Sequence, residues 1–186
     1  FSNWTEGDSV TLVRNDNYWG TPTKLAGVTF KSYSDPNAMN AAMLAGQLDI
    51  VSNVAAPQAL DQFQTADFNV LEGSTTGEVV LGFNHQNEVL KDLRVRQAIN
   101  YAIDRPALLD AVWAGKGELI GSMVPPTDPW FEDLSQRYPY DPDKARELLA
   151  ETGLGQISLR LRVPTLPYAP GAASYIASQL GAVGIQ

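Results

Sequence analysis

The stretch DLRVRQAINYAIDRPAL, residues 92–108, constrains the fold more than any other part of the chain. Asp92 is suited to cap a helix, because its carboxylate accepts hydrogen bonds from free backbone N–H groups. Apolar side chains then recur at a spacing that puts them on one side of a helix: Val95, Ala98, Ile99, Ala102 and Ile103. Asp104 caps a second helix that has Pro106 in its first turn. The stretch therefore predicts two consecutive helices, the first starting near Leu93.

The same capping pattern recurs along the chain, and strand-like runs separate the helices. Asp35 precedes Pro36, and Asp141 precedes Pro142, each at the start of a helical run. Runs rich in β-branched or alternating apolar residues predict strands at SVTLVRN, LAGVTFKSYS, LDIVSNV, FNVLEGS, GEVVLGFN and ISLRLRV. Strand-like runs that alternate with helical runs along the chain predict an α/β fold.

Charge and cysteine content exclude several functional classes. The net charge is −8 and no basic patch is present, which argues against a nucleic-acid partner. The chain has no cysteine, so disulfides, thiolate catalysis and cysteine-ligated zinc are excluded. No apolar run approaches the ~20 residues that a membrane span needs. The chain begins with Phe1 rather than Met, and we expect it to be a piece of a longer protein.

No set of residues forms a recognisable catalytic or metal-binding pattern. His85 is the only histidine, and a lone histidine does not complete a catalytic triad. The four aspartates that precede helical runs already serve as caps. Arg94 and Arg96 fall on the polar side of their helix, where solvation or a surface ion pair is expected. We therefore expect no catalytic residue, no metal site and no cofactor, which is typical of a binding protein.

Four motifs occur in order along the chain: VTLVRNDNYWG, MNAAMLAGQLDIV, LGFNHQNEVLKDLRVRQAINYAIDR and YDPDKARELLAETG. Together they resemble the family 5 extracellular solute-binding proteins, which are the oligopeptide, dipeptide and nickel receptors of ABC importers. The third motif is the longest and the most specific. The four motifs span nearly the whole chain, so the resemblance covers it from one end to the other.

The resemblance implies part of a bilobed fold of the type II periplasmic-binding-protein kind, with mixed sheets flanked by helices. Full family members are much longer, so the chain is expected to be a middle fragment. Residues 1–82 would form the later part of lobe I, and residues 83–186 the first part of lobe II. The chain would cross the hinge near residues 81–85, just before the helix that starts near Leu93.

Two segments match stretches that face the ligand cleft in this family: the loop after LDIV and the strand that crosses between the lobes. The residues implied as ligand-binding are Ser52, Asn53, Val54, Gly82, Asn84 and His85. Gly82 stands where some family members carry a polar ligand contact, which leaves the ligand class open. The alternative interpretation of Asn53 is a turn residue that contacts no ligand, since asparagine is a common turn former.

The resemblance implies the substrate-binding component of an ABC importer, which captures a peptide or similar small solute and delivers it to a membrane permease. Such a protein is a monomer, periplasmic or extracellular, with a lipoprotein anchor as one option in the full-length form. Two alternatives stay open. One is the sensor domain of a regulator, and the other is a hydrolase in which the proline-rich segment 120–140 forms a lid.

Overall fold

In a computed structural model, which describes residues 1–54, 57–65 and 67–186, the chain folds into strands and helices. The strands are β1 (Asn3–Thr5), β2 (Ser9–Val13) and β3 (Gly27–Lys31). The helices are α1 (Pro36–Leu44), α2 (Leu93–Ala102), α3 (Arg105–Trp113), α4 (Pro142–Thr152) and α5 (Ala169–Ala182), with a 3₁₀ helix at Pro57–Phe63. The predicted α/β class is confirmed. The chain divides into two compact units, Phe1–Val54 and Ala55–Gln186.

The first unit carries an antiparallel sheet in the order β1-β2-β3. Trp4 pairs with Val10 and Val10 with Phe30, so these side chains share one face, which Leu12 and Val28 extend. The opposite face is polar and includes the cross-strand row Asn3, Thr11 and Thr29. Trp4 is 62% and Phe30 59% exposed. Alternation along the strands therefore produces one polar face and one apolar face that is largely open.

Helix α1 begins as its sequence predicts. The Asp35 carboxylate accepts a hydrogen bond of 2.9 Å from the backbone N–H of Asn37, and Pro36 occupies the first turn. At the other end Gly46 adopts a φ of +69°, which glycine reaches without the steric cost of a Cβ atom. The N–H of Gln47 then donates to the carbonyl of Ala42 at 2.9 Å, so the helix end is closed by its own backbone.

The predicted apolar face of α2 forms the core of the second unit. One side of the helix packs in a cluster of branched side chains: Val95, Ile99, Ile103, Ile157 and Ile185. The adjacent side carries small residues and packs in a second cluster: Ala98, Ala102, Ala145, Leu148 and Val183. Small side chains on both helices let α2 and α4 approach closely, while the branched side chains fill the remaining core.

The helix caps predicted in the second unit are confirmed. The carboxylate of Asp92 accepts from the N–H of Arg94 at 2.8 Å. Asp104 accepts from the N–H of Ala107 at 3.0 Å, and Asp141 accepts from that of Lys144 at 2.9 Å. Each carboxylate thus satisfies a backbone donor that has no partner within the helix.

Several segments that the sequence predicts as strands do not form strands. Ile157 forms a single parallel bridge with Ile185, supported by a 2.7 Å hydrogen bond from the N–H of Leu159 to the carbonyl of Gln186. The rest of ISLRLRV, and the runs LDIVSNV, FNVLEGS and GEVVLGFN, form no ladder with any other described segment. A strand exists only through hydrogen bonds to a neighbour, and an apolar run does not supply that neighbour.

Candidate functional site

The segment that precedes α2 turns alternate side chains toward the core. Leu81 and Phe83 are half-buried and pack against the cluster around Ile99. The residues that alternate with them in the sequence are exposed: Val80, Gly82 and Asn84. The predicted lobe crossing near residues 81–85 thus lies inside the second unit, and its two apolar side chains hold Gly82 and Asn84 outward.

Gly82 faces open space. A Cβ atom added at this position would meet no atom within 4 Å, and its φ is not in the left-handed region. Neither steric crowding nor backbone conformation therefore requires a glycine here. The missing side chain leaves the backbone N–H and C=O of this position accessible to another molecule.

Asn84 and His85 lie in a tight turn that leads toward α2. The Oδ1 atom of Asn84 accepts from the N–H of Gln86 at 3.0 Å, and its carbonyl accepts from the N–H of Asn87 at 3.0 Å. The amide oxygen is thus committed to the turn, which leaves the Nδ2 group as the side-chain donor of Asn84. His85 is exposed at the turn.

Ser52, Asn53 and Val54 end the first unit, after the closed end of α1. Ser52 and Asn53 are exposed, whereas Val54 is half-buried. Neither polar side chain hydrogen-bonds to another described residue in the structure. The segment therefore presents two polar side chains and its backbone groups to solvent, as a ligand-contacting loop would.

Two arginines hold the start of α2, which follows the turn at Asn84 and His85. Arg94 contacts the carboxylate of Asp92 through Nη2 at 2.6 Å and donates through Nη1 to the carbonyl of Glu151 at 2.6 Å. The side-chain hydrogen bond from Arg94 lowers the pKa of the Asp92 carboxyl below its ordinary value. Arg96 donates to the carbonyls of Leu90 and Lys91 at 2.7 and 2.9 Å. The expected surface ion pair is present at Arg94, which pairs with Asp92. Beyond that expectation, Arg94 also reaches the carbonyl of Glu151, and Arg96 bonds the backbone just before α2.

An open pocket of about 340 Å³ lies in the first unit, beside the connection from β2 to β3. Its lining is largely apolar and includes Leu12, Tyr18, Leu25 and Val28. Arg14 also lines it, with its guanidinium paired to Asp16 at 2.9 Å. None of the predicted ligand-binding residues lines this pocket, so it is separate from the predicted site.

Residues 1–54, 57–65 and 67–186 contain no group of three or more His, Cys, Asp or Glu side chains that could hold a metal ion. No helix in the same ranges combines the length and apolar composition that a bilayer-spanning segment requires. The exposed polar groups around Gly82 and Ser52 are suited to hydrogen bonding with a bound molecule.

Comparison with known proteins decides the family. Residues 1–186 match the profile of the bacterial extracellular solute-binding proteins, family 5 Middle. This chain belongs to that family. The predicted resemblance is confirmed. This chain is 30% identical over 177 residues to the dipeptide-binding protein of Escherichia coli, and the match covers 92% of this chain and 33% of that protein.

Other relatives are named for, or were solved with, different molecules. The family 5 chain is 30% identical to heme-binding protein A of Haemophilus influenzae, over 82% of this chain and 28% of that protein. The structure of NikA from Brucella suis, in complex with Fe(III)-EDTA, matches all of this chain with a TM-score of 0.82 at 26% identity. This chain covers 41% of NikA, and about a third of the curated relatives that it matches. The match confirms that the fold is part of a bilobed periplasmic binding protein.

The family 5 match assigns no role to individual residues, so the six predicted contacts stay a prediction. They fall in different units: Ser52, Asn53 and Val54 in the first, and Gly82, Asn84 and His85 in the second. Sequence reasoning missed the anchoring role of Arg94 and Arg96. The helical spacing places both on the polar side of α2 but does not specify which backbone carbonyls they reach, and that of Glu151 is distant in sequence from Arg94.

Proposed function

We propose that this chain is part of the substrate-binding component of an ABC importer. The whole protein would capture a peptide or similar small solute between two lobes and deliver it to a membrane permease. The observation that carries the proposal is the family 5 match across residues 1–186. It is supported by relatives named for dipeptides and oligopeptides that match over most of this chain.

The lobe assignment is part of this proposal. Residues 1–82 would belong to lobe I and residues 83–186 to lobe II, with the crossing near residues 81–85. The accessible backbone of Gly82 supports a ligand-facing role for the crossing segment, as does the Nδ2 group of Asn84, which donates to no described residue. The exposed polar groups of Ser52 and Asn53 support the same role for the loop in the first unit.

Closure on a solute would use hydrogen bonds more than charge. The six proposed contacts, Ser52, Asn53, Val54, Gly82, Asn84 and His85, include no carboxylate and no Lys or Arg. Backbone groups, a hydroxyl, two amides and an imidazole recognise polar but not strongly charged parts of a ligand. We infer that these residues contact the middle of a peptide or a similar polar solute, and that groups elsewhere in the whole protein bind its charged ends.

The remaining proposals concern location, oligomeric state, protein partner and catalysis. The protein would act outside the cytoplasm, in the periplasm or at the cell surface, with a lipoprotein anchor as one form. It would work as a monomer, with the permease as its protein partner, and would catalyse no reaction. The family is one of extracellular solute-binding proteins, which supports these assignments.

Isothermal titration of the complete protein that contains this chain tests the function. With a panel of di- to nonapeptides and small solutes, we expect a dissociation constant of about 1 μM or below for at least one compound, on the order of −8 kcal/mol. Asn84→Ala should weaken that binding, while Asn37→Ala, an exposed amide remote from the proposed contacts in sequence, should leave it unchanged.

The chain of residues 1–186, titrated with the same panel, is a second comparison. A ligand bound between two lobes needs both surfaces complete, so we expect this chain to bind weakly or not at all. Equal tight binding by the chain and the complete protein would contradict the proposed placement of the cleft. No binding by the complete protein to any peptide or solute would contradict the function itself.

A further inference from the structure

Two polar contacts join residues on opposite sides of the proposed lobe crossing. The Nε2 atom of Gln58 donates to the carbonyl oxygen of Val112 at 2.6 Å. The Oε1 atom of Glu72 pairs with Nζ of Lys116 at 2.5 Å. In each contact the first residue precedes the crossing near residues 81–85 and the second follows it. All four residues lie in the second unit, which therefore contains both the crossing and the contacts across it.

The Gln58 contact supplies a hydrogen bond that α3 cannot make by itself. Val112 lies in the last turn of α3, where backbone carbonyls have no donor within the helix. Gln58 belongs to the 3₁₀ helix Pro57–Phe63, in which Ala59 and Phe63 are buried. The amide that satisfies the carbonyl of Val112 is therefore carried by an element that is itself packed.

The ion pair lies just beyond the same end of α3. Gly115 adopts a φ of +72°, and the N–H of Lys116 donates to the carbonyl of Trp113 at 2.9 Å. This turn holds the backbone of Lys116 against the end of the helix. The pair with Glu72 and the hydrogen bond from Gln58 thus both act on the C-terminal end of α3.

Both contacts are of a kind that can form and break. One joins an amide to a carbonyl and the other an ammonium group to a carboxylate, so neither depends on packing of apolar side chains. The net free energy of such contacts is small, because water binds the separated groups nearly as well. Between two bodies that move relative to each other, contacts of this strength shift the equilibrium between arrangements without locking it.

We propose that these two contacts, which we call the α3 latch, stabilise one of the lobe arrangements between which the complete protein moves by hinge motion. The proposal rests on the lobe assignment proposed above, because only then do the two sides of each contact belong to different lobes. In the latched arrangement both contacts to the end of α3 are formed, and in the unlatched arrangement both are broken. The proposal deepens the transport function by naming groups that set the balance between the two arrangements.

Distances between spin labels, measured by double electron–electron resonance on the complete protein without added solute, test the latch. This chain has no cysteine. Asp61→Cys and Ala150→Cys therefore place one label before the crossing and one in α4 after it, once any cysteine outside residues 1–186 is replaced by serine. Neither side chain takes part in the latch. We expect two populations of distances, one latched and one unlatched.

We expect Gln58→Ala to raise the ratio of unlatched to latched molecules about fivefold, the factor that one hydrogen bond of ordinary net strength provides. The matched control is Gln62→Ala in the same 3₁₀ helix, which should leave the ratio unchanged. Glu72→Lys should also raise the ratio, because it places two like charges together. Adding Lys116→Glu to Glu72→Lys should restore the native ratio, since the pair then forms again with its charges exchanged.

Three outcomes would overturn the latch. An equal ratio in the native protein, Gln58→Ala and Glu72→Lys would do so and leave the lobe assignment intact. An effect of Gln62→Ala as large as that of Gln58→Ala would mean a general disturbance of the 3₁₀ helix. One narrow distance in every variant, including Gln58→Ala combined with Glu72→Lys, would mean that residue 61 moves together with α4, which contradicts the proposed lobe boundary as well. Absence of solute binding would change none of these results, because no solute is added.

Discussion

Asn40 lies on the buried side of α1 with 4% of its surface exposed, and neither atom of its amide group hydrogen-bonds to a described residue. A buried amide without a partner costs roughly 1–3 kcal/mol, because the hydrogen bonds that it makes to water in the unfolded chain are not replaced. Its neighbour in the same helix, Ala42, is buried without such a cost.

We expect Asn40→Leu to raise the free energy of unfolding by about 1–2 kcal/mol, since leucine has a similar volume and no polar group to satisfy. Urea denaturation, followed by circular dichroism, measures the change. Asn37→Leu is the matched control, because Asn37 is exposed on the same helix and should shift stability by less than about 0.5 kcal/mol. Lower stability of Asn40→Leu would mean that the amide makes a stabilising contact.

Asp92 couples stability to pH through its hydrogen bond with Arg94. Its pKa is lower in the folded chain than in the unfolded chain, so the unfolded state binds the proton first as the solution is acidified. The stabilisation is fully present above the ordinary aspartate pKa of about 4 and is lost as the pH falls through the lowered value. Asp92→Asn keeps a residue that caps helices well but cannot titrate.

We therefore expect the difference in stability between the native chain and Asp92→Asn to be constant from pH 5 to 8 and to shrink at lower pH. Urea unfolding at a series of pH values measures it. Asn37→Ala, which removes no titratable group, is the comparison and should add no pH dependence of its own. A difference that grows on acidification would contradict the assigned direction of the pKa.

At the scale of elements, substitutions in α2 test which contacts stabilise this helix. Ile99 is 2% exposed within the core cluster, so Ile99→Asp would bury a charge without a partner. We expect a loss of about 4 kcal/mol or more, enough to unfold the second unit. Arg96→Ala removes two hydrogen bonds to backbone carbonyls and should cost about 1–3 kcal/mol rather than the small amount expected of an exposed residue.

Thermal unfolding of both variants checks the ranking. Leu93→Ala is the matched control, because Leu93 is 55% exposed on the same helix and should lose under about 1 kcal/mol. A loss for Arg96→Ala as small as that for Leu93→Ala would mean that the two carbonyl contacts contribute nothing. Equal losses for Arg96→Ala and Ile99→Asp would contradict the core assignment of α2.

Helices were predictable here and most strands were not, for a physical reason. The caps at Asp35, Asp92, Asp104 and Asp141 and the spacing of apolar residues act within a few positions of each other, so the sequence carries the full signal. A strand depends on a partner that is distant in sequence. Thus β2 and β3 form because they pair with each other, whereas most of ISLRLRV finds no partner among the described residues.

At the scale of the whole molecule, the expectation that the complete protein catalyses no reaction can be tested directly. His85 is exposed in a turn and hydrogen-bonds through its side chain to no described residue, so it lacks the oriented partner that a general base requires. We expect no hydrolysis of peptides, esters or phosphoesters by the complete protein. Any activity that survives purification and disappears in His85→Ala, but not in Asn37→Ala, would contradict this expectation.

The candidate site was predictable only in part. The alternation in VLGFN indicates that Leu81 and Phe83 face one way and Gly82 and Asn84 the other, and the structure has this arrangement. Whether Ser52 and Gly82 contact the same ligand depends on packing between segments thirty residues apart. Local patterns of charge and hydrophobicity do not encode that distance. That the two segments serve one ligand therefore stays a prediction, which rests on the resemblance to the family rather than on a local pattern.

The core cluster around α2 has a consequence for synthesis of the protein on the ribosome. Val95 and Ile185 belong to the same cluster but are about ninety residues apart in the chain. At a translation rate of about 5–20 residues per second, roughly 5–20 seconds pass between the addition of the two residues. During that interval the apolar side of α2 is made but lacks part of its packing. Until Ile185 is available for packing, we expect this apolar side of α2 to be open to chaperones that bind exposed apolar segments.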